Sequence, residues 1–294
     1  MGLFPNELER LTQRAMAEKV MGWLQAHPVL GVSSENRLSR QCRLVVESHG
    51  RVDESHPNWR LFVQSLKDLQ EYWFMIEILG EELVRSPFVE RFTRSLLDAT
   101  HPHDSKAGTP GRDAQFELFL AAIAARAGLV VDQSGDGGAD WMLTSPIGRW
   151  SLEAKRIKSL KKMRAHLSKA ATQIMESRIG GVIAMDISLA CNPDCKPLPG
   201  VFTLAQIAKA DEARMNSFIE QYGESIMEWV GSANVGFVLL HDFVIRTPPP
   251  VGAPHEPAGL VELWRKVDLV GVEGQSRCHY DDLWHLIEVA VPNL

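Results

Sequence analysis

Cysteines and long apolar runs are scarce in this sequence, and each scarcity excludes a class of protein. The 294 residues include four cysteines at irregular positions, too few for a disulfide framework in a chain of this length. No apolar run approaches the roughly 20 residues of a membrane span. The N-terminal stretch turns acidic at once and lacks the basic-then-apolar layout of a signal peptide. We therefore expect a cytoplasmic protein that does not contact a membrane.

An excess of positive charge is also missing. The apolar fraction of 45% is ordinary for a globular chain, and the length allows one large domain or two modest ones with a buried core. The formal net charge is −6, which argues against a protein that coats nucleic acid with its whole surface. Any contact with nucleic acid must therefore come from a local basic patch.

Helical patterns dominate residues 1–100. Segment 6–26 carries apolar residues at roughly helical spacing, and a longer helix is expected from Asn58, as its N-cap, to Gly80. Ser86-Pro87 opens a further helix with phenylalanines four residues apart. None of these segments shows catalytic spacing. We expect a helical region for oligomerisation, target contact or regulation, whose helices could pair two copies into a homodimer.

A loop rich in Pro, Gly and His at 100–111 follows, and we place a domain boundary there, between residues 1–100 and 101–294. Beyond it the pattern alternates between helices and short strands. Helices are expected at 112–126, 159–178 and 204–229, and strands at 129–132, 139–143, 149–156, 182–189, 235–241 and 270–272. The stretch 247–257 is a Pro-rich loop, and 283–291 is a closing segment. This alternation predicts an α/β domain with a mixed central sheet flanked by helices.

The strand expected at 149–156 contains Glu153-Ala-Lys155. Side chains alternate along a strand, so Glu153 and Lys155 share one face while their chain neighbours point into the core. A carboxylate and an ammonium side by side can hold a divalent cation and steady a nucleophilic water together. The same spacing recurs at 104–106 and 194–196, but those copies lie in loops without apolar alternation. The strand setting singles out the first copy.

Other polar residues flank this strand in a defined order. Asp140 begins a short apolar strand just after a glycine-rich turn, and Glu117 is the only charged residue in the apolar helical run 116–125. The basic helix downstream carries a polar stripe at helical spacing, formed by Lys162, His166, Lys169 and Gln173. These motifs become informative when they are taken together in this order.

The order of motifs resembles the core of the PD-(D/E)xK, or restriction-endonuclease-like, nuclease superfamily. The resemblance covers about residues 112–190, and the C-terminal strands fit the extension of that core. Ala139 stands where the name-giving proline would be. Residue 177 is Ser, so the Gln-x-x-x-Tyr signature of the exonuclease-type branch is absent. The resemblance therefore implies a restriction-endonuclease-like core outside that branch.

The resemblance also implies a role for each residue. The implied ligands of Mg²⁺ or Mn²⁺ are Asp140, Glu153, the backbone carbonyl of Ala154, and Glu117 through water or at a second metal site. Lys155 would orient or help deprotonate the attacking water, and Gln173 would steady the site or the substrate backbone. Oxygen ligands suit these hard cations and phosphate chemistry.

A run of cations follows the implied ligands. Charge runs are usually solvated helix faces, but this one lies next to the site in a chain that is acidic overall. We expect it to contact phosphates of nucleic acid. The residues expected to do so are Arg156, Lys158, Lys161, Lys162 and Lys169.

Three functions are open on these residues. The first is a Mg²⁺- or Mn²⁺-dependent endonuclease that cuts DNA rather than RNA, with a role in bacterial defence or genome maintenance by resemblance alone. The second is a catalytically inactive nucleic-acid-binding or regulatory module on the same fold. The third is an unrelated α/β protein whose strand carries an ion pair. The intact set of Asp140, Glu153 and Lys155 favours the first, because a decayed site usually loses one of the three.

Overall fold

The computed structural model describes residues 12–30, 35–48, 55–98, 110–133, 138–197, 204–231, 234–245, 260–269 and 275–291. The helical region contains α1 (Gln13–Ala26), α2 (Arg37–Ser48), α3 (Trp59–Leu79) and α4 (Phe88–Ser95). The rest runs α5 (Pro110–Arg126), β1 (Val130–Gln133), β2 (Trp141–Ser145), β3 (Gly148–Arg156), α6 (Met163–Glu176), β4 (Gly181–Asp186), α7 (Ser188–Cys191), α8 (Leu204–Val230), β5 (Val235–Ile245), β6 (Leu260–Asp268) and α9 (Gln275–Ala290). Within these ranges no helix has the length and apolar character needed to cross a membrane.

The strands form one six-stranded sheet in which the spatial order follows the chain order. β1, β2 and β3 are antiparallel neighbours, β3, β4 and β5 are parallel, and β6 pairs antiparallel with β5. The connections between the parallel strands contain α6 and α8, as parallel pairing requires. The chain is therefore α/β with a mixed sheet and an N-terminal helical region, as the sequence predicts.

Apolar layers cover both faces of the sheet. The layer that includes α3, α4 and α5 takes the buried side chains of Leu152, Ala154, Val182, Ala184, Phe237 and Leu239. The opposite layer, with α6 and α8, takes Ile183, Met185, Val238 and Leu240. Because strand residues alternate between faces, Glu153 and Lys155 of β3 belong to the side of the sheet covered by α6.

Several helix boundaries follow from local sequence signals. Thr12 accepts a hydrogen bond at Oγ1 from the amide of Ala15 (3.2 Å) and so caps α1. Gly80 and Gly128 have positive φ angles of 49° and 80° and lie just beyond α3 and α5, where a left-handed residue ends a helix without a steric cost. Asn58 precedes α3 as expected, but its side chain makes no capping hydrogen bond.

Some expectations about elements were wrong. β4 ends at Asp186 and not at residue 189, because Asp186 Oδ1 accepts hydrogen bonds from the amide (3.0 Å) and hydroxyl (2.5 Å) of Ser188, where α7 begins. The helix expected at 159–178 is a 3₁₀ turn followed by α6. The sequence patterns do not predict α2 or β6. The expectations for 6–11, 100–109, 134–137, 247–257 and 270–272 lie outside the described residues.

The helical region and the α/β part share one apolar core and one buried charge network. We define this network as Arg37, Lys67, Asp68, Glu71, Arg112, Arg156 and Asp186, whose side chains are at most 2% exposed. Asp68 Oδ2 accepts hydrogen bonds from Nη1 of Arg37 (2.8 Å) and Nη1 of Arg112 (2.5 Å). Burial alone would raise the pKa of Asp68, but Arg112 and Arg37 hold it well below its usual value. These contacts join α2, α3 and α5 across the boundary that the sequence suggests.

We expect a fragment of residues 101–294 not to fold by itself. Its α5 would lose the helices packed against Phe116 and Phe119, so apolar side chains that the full chain buries would face water, and Arg112 would lose its ion pair with Asp68. Exposed apolar surface costs stability at about 25 cal/mol per Å². Circular dichroism and amide hydrogen exchange would show a poorly protected fragment that gains protection when residues 1–100 are added. A cooperative thermal transition of the isolated fragment would contradict this expectation.

Candidate active site

The carboxylates of Asp140 and Glu153 meet where β2 begins. The β2–β3 ladder pairs Trp141 with Leu152, so the antiparallel register places Asp140 opposite Glu153. Each carboxylate accepts a hydrogen bond from the other strand segment: Glu153 Oε2 from the Asp140 amide (3.1 Å), and Asp140 Oδ2 from the Ala154 amide (2.8 Å). The two acidic side chains are thus fixed to each other's backbone.

Lys155 joins this pair from the same face of β3. Its ammonium contacts Glu153 Oε1, and its side chain is 14% exposed whereas that of Glu153 is fully buried. Burial, together with the negative charge of Asp140, raises the pKa of Glu153 to about 7, although Lys155 acts in the opposite direction. The prediction that Glu153 and Lys155 share one face is confirmed. A carboxyl group with a pKa near neutrality beside a second carboxylate is typical of functional sites.

Glu117 approaches the pair from α5. Burial and the charge of Asp140 raise the pKa of Glu117. Glu117 Oε2 accepts hydrogen bonds from Nε of Arg91 (2.8 Å) and Nη2 of Arg94 (3.3 Å). Its backbone oxygen accepts from the indole of Trp141 (2.8 Å), which fastens α5 to β2. The structure therefore brings Glu117 to the site, already paired with two arginines.

These two arginines are site residues that the sequence patterns do not predict. Arg91 Nη2 also donates to the backbone oxygen of Asp140 (3.1 Å), and its guanidinium carbon lies 4.3 Å from the centre of the Trp141 ring. Both arginines belong to α4, far from the motifs in sequence. Arginines three residues apart share one helix face, but an exposed helix has the same spacing, so the sequence alone carries no signal for their role.

The cations of the basic helix lie near Lys155. Burial and the positive charges of Lys155, Lys162 and Lys169 lower the pKa of His166, which places all four groups in one electrostatic neighbourhood. Lys161, Lys162 and Lys169 are exposed, and Lys158 is partly buried. Lys162 and Lys169, which are exposed and share this neighbourhood with Lys155, are consequently within reach of a polyanion that approaches the site. Phosphate contact by Lys158 and Lys161 stays a prediction.

Arg156 departs from the expectation that it contacts nucleic acid. It belongs to the buried charge network: Nη2 donates to both carboxylate oxygens of Glu71 (2.8 and 2.9 Å), and Nε lies 2.8 Å from Asp186 Oδ2. Its side chain is 2% exposed. Because Arg156 alternates with Lys155 along β3, it points to the opposite face of the sheet. The prediction of phosphate contact by Arg156 is therefore wrong.

Gln173 lies on α6 and is partly buried. Its Oε1 is enclosed and has no hydrogen-bond partner among the described residues. An enclosed amide oxygen ordinarily finds a donor, since leaving it unpaired costs free energy. The role of Gln173 in steadying the site or the substrate stays a prediction.

The ligand set determines which metal the site could hold. Among the described residues, no group of three or more His, Cys, Asp and Glu side chains is arranged to bind a metal ion. Asp140 and Glu153 therefore offer two carboxylates and not a closed cage. Mg²⁺ usually keeps several waters and is held by one or two carboxylates together with substrate phosphates. A pair of hard oxygen ligands fits Mg²⁺ or Mn²⁺.

Comparisons of this chain with protein-family models, with curated proteins and with solved structures found no match. The resemblance to the nuclease superfamily thus depends on the order of the sequence motifs.

Proposed function

We propose that this protein is a divalent-metal-dependent nuclease with a restriction-endonuclease-like core, and that it cuts DNA internally by hydrolysing phosphodiester bonds. The observation that carries the proposal is the pairing of Asp140 and Glu153 on adjacent strands, with Lys155 in contact with Glu153. The helix with Glu117, the two strands and the basic helix follow each other in the fold as the motifs do in the sequence. This arrangement supports the PD-(D/E)xK assignment.

The residues that would hold the metal are Asp140, Glu153 and the backbone carbonyl of Ala154. The N–H and C=O of a strand residue point to the same side, and the Ala154 amide donates to Asp140 Oδ2. Its carbonyl therefore faces the side on which the Asp140 carboxylate lies. Held there, a divalent ion would make water easier to deprotonate near neutral pH and would offset charge on the phosphate. Glu117, which is already paired with arginines, fits the contact through water better than direct ligation.

Lys155 would act on the attacking water and on the phosphate. Its ammonium contacts Glu153 and its side chain is only 14% exposed, so the ammonium lies in a medium of lower polarity than water. There an ammonium donor is worth more than in bulk solvent. Lys155 would hold the water in line and offset the negative charge that develops on the phosphate oxygens.

The lysines of the basic helix would bind the substrate backbone. Lys158, Lys161 and Lys162 precede α6 and Lys169 lies within it. Lys162 and Lys169 share with Lys155 the surroundings of His166. Neutralising phosphates with lysines releases condensed counterions, which supplies affinity without reading sequence. In a chain with a net charge of −6, this local patch explains how a polyanion could still approach the site.

Cleavage assays test the proposal directly. We expect the purified protein to cleave plasmid or linear DNA with Mg²⁺ or Mn²⁺ and not with a chelator, and Lys155→Ala to lower the rate by at least about a hundredfold. A matched control is Lys196→Ala, which alters an exposed lysine in the loop copy of the Asp-x-Lys pattern. It should leave the rate unchanged.

Two outcomes would contradict the proposal. Equal cleavage by the wild type and Lys155→Ala would indicate a contaminating nuclease. Binding of nucleic acid without any cleavage would favour the inactive binding or regulatory module instead. Parallel assays with single-stranded DNA and with RNA give the substrate class, and preferential cutting of RNA would overturn the choice of DNA.

A further inference from the structure

Helix α4 of the helical region enters the candidate site. Arg91 and Arg94 are three residues apart, so they share one face of α4. Both reach the same oxygen, Glu117 Oε2, at 2.8 and 3.3 Å. Although they make this contact together, their surroundings differ, and the difference suggests separate roles.

Arg91 makes three contacts at the site. Its Nε donates to Glu117, its Nη2 donates to the backbone oxygen of Asp140, and its guanidinium lies over the Trp141 ring. Only 14% of its side chain is exposed. The planar guanidinium stacks on the Trp141 ring and donates in two directions, so it fixes both Glu117 and the backbone of Asp140. Lysine cannot reproduce this geometry. Arg91 therefore ties α5 to the residue at which β2 begins.

Arg94 is only partly engaged. Its single hydrogen bond to Glu117 is long, at 3.3 Å, and 43% of its side chain is exposed. Its Nε is enclosed and has no hydrogen-bond partner among the described residues, so a donor to an anion must come from the exposed part of the side chain. An arginine presents several donors in a fixed fork that matches phosphate oxygens. Arg94 can keep its contact with Glu117 and still donate to an incoming anion.

The charge balance explains why an anion would need these arginines. Asp140 and Glu153 accept hydrogen bonds from each other's strand segments, and Arg91 links Glu117 to the backbone oxygen of Asp140. Three acidic side chains therefore lie in one neighbourhood, with Lys155 in contact with Glu153. Without α4 the site would carry an excess of negative charge and would repel a phosphodiester. The two arginines offset that excess.

The locations of α4 and α6 indicate which basic residues a bound nucleic acid would contact. α4 belongs to the apolar layer on one face of the sheet, whereas α6 belongs to the layer on the other face. We call Lys162, just before α6, and Lys169, within it, the α6 lysines. A nucleic-acid backbone that crosses the site at Asp140 and Glu153 would therefore meet the α6 lysines on one side and Arg94 on the other. We propose that Arg94 binds a substrate phosphate opposite the α6 lysines, and that Arg91 positions Glu117 and Asp140. This inference rests on the proposed nuclease function.

Equilibrium binding tests the role of Arg94. A fluorescein-labelled DNA duplex is titrated with the full chain in Ca²⁺, which replaces Mg²⁺ to prevent cleavage, over a series of NaCl concentrations. We expect Arg94→Gln to weaken binding about tenfold near 100 mM NaCl and to reduce the slope of log K against log salt by about one. Arg94→Lys should restore most of the slope because it keeps the charge. Arg85→Gln is the matched control, since Arg85 is exposed and pairs with Glu82 on the same region.

Cleavage kinetics in Mg²⁺ test the role of Arg91. Arg91→Lys keeps the charge and should leave the binding slope and KM unchanged while lowering kcat about tenfold or more. Melting temperatures of all variants check the fold, because a purely structural role would lower stability without separating kcat from KM. A shift of KM together with an unchanged kcat would overturn the positioning role of Arg91.

The outcomes separate this inference from the function on which it rests. A wild type that binds or cleaves no nucleic acid would overturn both. A wild type that binds and cleaves DNA, with Arg94→Gln matching it in affinity and salt slope, would overturn the Arg94 contact alone and leave the nuclease proposal standing.

Discussion

Replacing Glu153 with glutamine should lower the rate of metal-dependent DNA cleavage by about 10²- to 10³-fold. Glutamine has nearly the same shape, so it can still accept the hydrogen bond from the Asp140 amide. It carries no negative charge, however, and can neither hold a divalent cation firmly nor pair with Lys155 as an ion. Single-turnover cleavage of labelled DNA, with enzyme in excess, measures the effect on the chemical step.

The same substitution should not destabilise the protein. Burial and the charge of Asp140 raise the pKa of Glu153 to about 7 from its ordinary value of 4.5. The folded state therefore binds this proton more tightly than the unfolded state, and the wild type loses stability as pH rises from about 4.5 to about 7. Glutamine does not titrate. We expect the variant, without metal, to melt no lower than the wild type at about pH 8, with a smaller difference at about pH 5.

Glu176→Gln is the control for this prediction. Glu176 is exposed at the end of α6, and its replacement should change neither the cleavage rate nor the melting temperature. If Glu153→Gln instead lowered stability and activity together, Glu153 would be one half of a structural ion pair. That result would favour an unrelated α/β protein whose strand carries an ion pair.

The two strands of the site could be predicted because their geometry is local. A period of two places Glu153 and Lys155 on one face, and a short turn between β2 and β3 fixes the antiparallel register that brings Asp140 opposite Glu153. Glu117 could be found because a single charge in an otherwise apolar helix is unusual. Each of these inferences needs only neighbours in the sequence or one tight connection.

Which cations of the basic run are buried and which are exposed could not be predicted in the same way. Arg156 and Lys158 are neighbours in one run of cations, yet Arg156 is buried against Glu71, 85 residues away. Sequence spacing carries no information about a contact at that distance. The contribution of Arg91 to the site escapes prediction for the same reason, since its partners lie on α5 and at the start of β2.

Buried polar residues also explain why α2 escapes the sequence pattern. Arg37 and Gln41 occupy the buried face of α2, where an apolar stripe would ordinarily reveal a helix. Both side chains bind Asp68. The helix is recognisable only when its charged partners are known, and the same contacts make the helical region part of the core. The division at residue 100 thus follows a change in sequence pattern within one shared core.

Replacing Asp68 with asparagine should destabilise the protein by about 3–5 kcal/mol. Asp68 is fully buried, and its Oδ2 accepts hydrogen bonds from Arg37 (2.8 Å), Arg112 (2.5 Å) and Gln41. Asparagine keeps the volume but removes the charge, so the two guanidinium groups would stay buried with no carboxylate between them. Urea unfolding followed by circular dichroism measures the loss of unfolding free energy.

A matched control distinguishes the loss of a buried carboxylate from the loss of an exposed one. Glu35→Gln removes a carboxylate that pairs with Arg43, but both of those side chains are largely exposed, and exposed ion pairs contribute little to stability. Arg112 and Arg37 hold the pKa of Asp68 below its usual value. The charge of Asp68 should therefore contribute to the stability of the wild type at neutral pH. This contribution should be lost only as pH falls below about 4, where an unfolded aspartate takes up a proton. Equal effects of the two substitutions would mean that the buried charge network does not hold the helical region to α5.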